Sequence, residues 1–95
     1  MQPGPIRADL RWRRPDGHTG RVAGCFRDCT PLWDRWAYET LLGATVTLTT
    51  VVRGRGRCTF TLQADEDEAL AFLATSNPTW YASAQRKRSR HLDLH

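Results

Sequence analysis

The sequence predicts an α+β domain: a four-stranded, mainly antiparallel sheet with two helices, in the order ββαββα. Three observations lead there. Residues 6–12 and 46–62 alternate apolar and polar side chains, the period of a half-buried strand. Residues 30–42 and 65–76 place apolar residues at three-to-four spacing between helix start and stop signals. Asp16-Gly17 and Gly54-Arg55-Gly56 punctuate the strand-like regions as turns.

In IRADLRW, Ile6, Ala8, Leu10 and Trp12 fall on one face and Arg7, Asp9, Arg11 and Arg13 on the other. RVAGCF returns as a second strand with Val22, Gly24 and Phe26 inward. Pairing Trp12 with Val22, Leu10 with Gly24 and Ala8 with Phe26 keeps one face apolar. The stretch DCTPLWDRWAYETLLG reads as a helix. Thr30 suits its cap, Pro31 its first position and Gly43 the position after its last turn. Trp33, Trp36, Ala37, Leu41 and Leu32 share a broad stripe. In the second hairpin a three-residue loop, 54–56, sets Val52 against Cys58, Thr50 against Phe60 and Leu48 against Leu62. A two-residue loop would scramble both faces. Gly56 suits a left-handed loop end, so the glycines between Arg53, Arg55 and Arg57 have a structural explanation.

ADEDEALAFLATSNPTW reads as the second helix. Asp65 and Glu68 form a capping box, and acids crowd the first turn where the helix dipole favours them. Asn77-Pro78 ends it. Both helices are expected on the apolar side of the sheet. The domain is expected to span residues 5–81. Residues 82–95, with a basic run but no apolar face, are expected to form a flexible tail.

An apolar fraction of 40% and a charged fraction of 25% exclude a disordered chain. No stretch approaches a membrane span, and the N-terminus lacks the pattern of a signal peptide. Three cysteines are too few for a disulfide framework, so a cytoplasmic location is expected. The net charge of +4 is unevenly spread. Residues 1–64 carry ten arginines and five acids, 65–80 four acids and no base, and 81–95 four bases and one acid. That asymmetry fits anion binding, and it also fits self-association of acidic and basic segments.

The expected role is that of a small non-catalytic binding protein, contacting nucleic acid or another anionic partner. Candidate contacts are Arg11, Arg13, Arg14 and Arg21 in the first hairpin and Arg53, Arg55 and Arg57 in the second. Arg86, Lys87, Arg88 and Arg90 in the tail complete the set. Trp12, Tyr38, Trp80 and Tyr81 are candidate base-stacking aromatics. The alternative is a protein–protein adaptor or complex subunit, homo-oligomeric or heteromeric, using Trp33, Trp36, Trp80 and Tyr81. An enzyme with Cys29 or His18 in a small pocket ranks third. Cys25, Cys29, Cys58 and His18 could supply four zinc ligands, but C-x₃-C is not the usual knuckle spacing. No metal or cofactor is therefore assigned. No glycine-rich phosphate loop, dinucleotide fingerprint or HExxH occurs.

Overall fold

Strand alternation builds the sheet. In the computed structural model, which describes residues 6–52, 56–62 and 65–93 and the side chains of these except 52, 56–57 and 90–93, β1 spans Ile6–Arg13 and β2 spans Thr19–Phe26. Helix α1 (Thr30–Leu41), β3 (Thr45–Val52), β4 (Gly56–Leu62), α2 (Glu66–Ser76) and α3 (Pro78–Asp93) follow. The sheet is antiparallel in the order β2-β1-β3-β4. The fold of the described residues is therefore β1β2α1β3β4α2α3, with three helices where the sequence predicts two.

The correction arises at Asn77-Pro78. A residue before proline is driven out of the helical region, and Asn77 sits at φ −149°, ψ 80°, which ends α2. Proline also suits a helix's first turn, so the same dipeptide starts α3. The Asn77 side-chain oxygen accepts from the Trp80 backbone N–H at 3.2 Å. The domain boundary expected at residue 81 falls inside this helix. Its buried contact is carried by Ala84, which is fully buried, with Trp80 and Tyr81 packed beside it.

A second correction concerns the helix layer. Among the described residues the helix packed closely on the sheet is α1, under β1 and β3, while α2 and α3 pack against α1 and against each other. Helix α1 is therefore an inner layer. Leu32 joins Ala8, Leu10, Trp12, Val46 and Leu48 in one cluster. Ala37, Tyr38 and Leu41 join Ala69, Leu73 and Ala84 in the other, and Trp36 packs against both. A helix between two layers buries most of its circumference, polar positions included. Asp34, Glu39 and Thr40 are buried accordingly. Asp34 accepts a hydrogen bond from the Ser76 hydroxyl. Cys29, not Thr30, is the N-cap. The Thr30 hydroxyl instead bonds Asp28 at 2.7 Å.

Both hairpins keep their expected faces but shift by two residues. Trp12 opposes Gly20, Leu10 opposes Val22 and Ala8 opposes Gly24. Thr50 opposes Cys58, Leu48 opposes Phe60 and Val52 opposes Gly56. The expected loop residues Gly54 and Arg55 lie outside the described residues, and Gly56 is a paired strand residue. At Gly20, a Cβ would overlap the Trp12 indole. Only glycine lets that ring lie across the neighbouring strand. After α1, Gly43 at φ +82° supplies the left-handed position that turns the chain into β3.

Candidate polyanion-binding face

The period of two places one set of side chains opposite the helices. Arg7, Asp9, Arg11 and Arg13 of β1 lie there, flanked by Arg21 of β2 and by Thr45, Thr47 and Thr49 of β3. Thr59 and Thr61 of β4 extend the row. All three helices lie on the other side, and Arg7, Arg11, Arg13, Arg21, Thr45, Thr59 and Thr61 are exposed. Two shallow depressions of about 780 and 620 Å³ run along this surface, both lined by Arg11, Arg21 and Thr47.

Arg11 and Arg21 stand directly opposite each other on β1 and β2. Two like charges so placed repel, and Asp9 offsets this by receiving both. Arg21 donates to the two carboxylate oxygens at 3.0 and 2.9 Å, and Arg11 at 3.3 and 3.1 Å. The Asp9 carboxyl is held below its ordinary 3.8, first by the hydrogen bonds from Arg21 and then by those from Arg11. Asp9 in turn raises the Arg21 pKa. Each guanidinium spends its Nε and Nη2 edge on Asp9. The Nη1 groups make no hydrogen bond among the described residues, so donors remain for a ligand. The arrangement offers two oriented forks, further arginines and threonine hydroxyls: a surface for phosphate or carboxylate oxygens.

The candidate residues divide. Arg11, Arg13 and Arg21 share this face. Arg14 does not: it bonds Glu39 on the helix side at 2.7 and 3.0 Å. Arg53 and Arg55 lie outside the described residues. Arg57 occupies the β4 position opposite Val51. Arg86 is exposed on α3, whose position for Arg90 is described by backbone alone. Lys87 donates to the Tyr38 hydroxyl at 2.6 Å, and Arg88 pairs with Glu66 at 3.6 Å. Because α3 packs against α1 and α2, the α3 bases and the sheet arginines form two patches rather than one. Arg7 and the threonine rows were missed as candidates, although strand parity alone places them with Arg11.

The proposed stacking aromatics are not on this face. Trp12 is a core residue. Tyr38 and Trp80 stack edge to face at 5.5 Å, with the Arg35 guanidinium 4.4 Å from the Trp80 ring and 4.9 Å from the Trp12 ring. Of the proposed interface residues, Trp36, Trp80 and Tyr81 are half-buried, and Trp33 is 39% exposed.

The cysteines are dispersed. Cys25 belongs to the open face and Cys58 to the helix side, with Cys29 capping α1. His18 lies in the first hairpin turn, the length of β2 away from Cys29, roughly 25 Å at the usual strand rise. Among the described residues no group of three or more His, Cys, Asp or Glu side chains could hold a metal ion, and no helix is long and apolar enough to cross a membrane. No family model, curated protein or solved structure matches the chain.

Proposed function

We propose that the protein binds a polyanion, nucleic acid foremost, on the open face of its sheet. One observation carries the reading: opposed Arg11 and Arg21, held by a shared carboxylate, stand on an uncovered surface with Arg7, Arg13 and two rows of threonine. Guanidinium forks and hydroxyls suit phosphate oxygens. The donors on this face are guanidinium and hydroxyl groups, which match backbone phosphates, so the reading is of phosphate contact that tolerates sequence.

The test is fluorescence anisotropy with random-sequence RNA and DNA, between about 50 and 200 mM salt. Arg11→Gln/Arg21→Gln should weaken binding and shallow the salt dependence by about 1.5 log units per log unit. Arg86→Gln on α3 serves as the comparison and should do less. Equal affinity of wild type and the double variant would remove this reading.

A second reading, a protein contact through α1, is supported by the exposure of Trp33. It predicts that Trp33→Ala abolishes partner capture while leaving polyanion binding and the fold unchanged.

A further inference from the structure

We infer that β4 is the interface between two copies of this chain, paired antiparallel about a twofold axis near Thr59 and Phe60. The argument starts from where the helix layer stops. Helix α1 lies under β1 and β3, and α2 follows α1 instead of returning beneath β4. Phe60, in the middle of β4 and on the helix side, is left 51% exposed. Cys58 and Leu62 beside it are half-buried. A large aromatic projecting from an edge strand is costly to leave in water and is a ready anchor for a partner.

Strand β4 pairs only with β3, so its outer row of backbone donors and acceptors has no strand partner among the described residues. Its register with β3 runs without a bulge from Val46↔Leu62 to Val52↔Gly56. Between Arg57 and Leu62 it carries no charge and no proline. These are the devices that normally protect an edge. The other edge, β2, differs: its larger apolar residues, Val22 and Phe26, pack against the core.

The occupant is a second copy because β4 complements itself. In sequence its start carries Arg57, and its end leads into four exposed acids, Asp65, Glu66, Asp67 and Glu68. Antiparallel pairing of two copies runs each basic start towards the partner's acidic end, twice. Parallel pairing would set like against like. A twofold axis perpendicular to the sheet also brings the two Phe60 rings together on the helix side. The threonine rows of Thr59 and Thr61 then meet on the opposite side. The result is one eight-stranded sheet whose two arginine faces point the same way.

Light scattering across a wide protein concentration range, beside hydrogen exchange at its two extremes, tests this. Wild type should reach twice the chain mass, with β4 amides slowing on concentration and β2 amides unchanged. Phe60→Lys should return the mass to that of one chain with an unchanged circular dichroism spectrum. Ala23→Lys on the β2 edge should stay dimeric. A monomer at every concentration overturns the proposal, as does a dimer whose β4 amides do not slow. If Phe60→Lys fails to fold, the wild-type exchange decides alone. None of these readouts depends on polyanion binding, so either idea can fail without the other.

Discussion

Arg14, just beyond β1, grips Glu39 of α1 through two parallel hydrogen bonds, Nε to Oε1 at 2.7 Å and Nη2 to Oε2 at 3.0 Å. Arg35, one turn earlier on α1, adds a third at 3.2 Å. The Glu39 side chain is wholly buried, whereas the two arginines keep about a quarter of their surface in water. The carboxylate is thus the desolvated partner, and its burial is compensated by both cations. The triad ties the first hairpin to the inner helix across 25 residues of sequence.

Removing Glu39 leaves two partly buried cations without their counter-charge. Breaking a buried ion pair from one side costs about 3–5 kcal/mol. The partial hydration of Arg14 and Arg35 argues for the lower end. Urea unfolding of Glu39→Ala should therefore show a loss near 3 kcal/mol. A loss below about 1 kcal/mol, the usual worth of an exposed pair, would mean that Glu39 is hydrated in solution.

The Asp9 clasp predicts a pH response. A carboxyl whose folded pKa is depressed contributes stability that is present above its unfolded pKa. That contribution is lost as pH falls through the folded value. For Asp9 the loss begins below the ordinary 3.8 and ends under its lowered native midpoint. Carboxyl NMR titration should give a midpoint under 3.8. Arg21→Gln should move it back further than Arg11→Gln, because the Arg21 hydrogen bonds are the larger cause. Equal shifts would show that the two guanidiniums share the carboxylate evenly.

The strands and their faces were legible because alternation encodes parity. A two-residue shift of register preserves parity, so Arg11, Arg13 and Arg21 reach the open face although both registers differ from expectation. Register itself depends on the fit of Trp12 over Gly20, a pairwise steric fact that periodicity does not carry. Arg14 was misplaced because a residue at a strand end follows its tertiary partner, here Glu39. Helix α3 was missed because its deepest contact is Ala84, whose small side chain leaves a weak apolar stripe. The stripe on α2 announces a buried face but not that α1, rather than the sheet, will cover it.

Trp12 over Gly20 gives a direct steric prediction. A Cβ at Gly20 would come within 2.8 Å of the indole Nε1 and closer still to the ring carbons. The ring is held in the core and has little room to retreat. Overpacking of this kind costs about 1–3 kcal/mol. Gly20→Ala should lower Tm by roughly 4–8 °C for each kcal/mol lost. Combined with Trp12→Phe, the second substitution should cost less than it does alone, as expected of residues in contact. Strict additivity would place the indole elsewhere.

The α2–α3 junction rests on one cap. Asn77 closes α2, with its backbone N–H on the Leu73 carbonyl at 2.8 Å, and its side chain opens α3 at Trp80. Asn77→Ala should cost about 1 kcal/mol, the usual worth of such a cap. Hydrogen exchange should localise the effect to the first turn of α3, sparing the Asp65 end of α2. Fraying of both helices alike would show that the two act as a single unit.

Tyr38 links α3 to the inner helix. Its hydroxyl accepts from Lys87 Nζ at 2.6 Å and lies 3.2 Å from the Ser83 hydroxyl. Burial alone would push the phenol up. The hydrogen bonds from Lys87 and Ser83, with the charges of Lys87 and Arg14, outweigh it and hold the pKa below 10.0. The phenolate is the form these groups favour, so the native state gains stability as pH rises through the lowered midpoint towards the unfolded value. In a Tyr81→Phe background, where Tyr38 is the only tyrosine, phenolate absorbance should appear below pH 10.0. Adding Lys87→Met should move that midpoint upward, because burial then acts with less opposition. A midpoint unchanged by the substitution would mean that Lys87 leaves Tyr38 in solution, and α3 would be held by Ala84 and Trp80 without this contact.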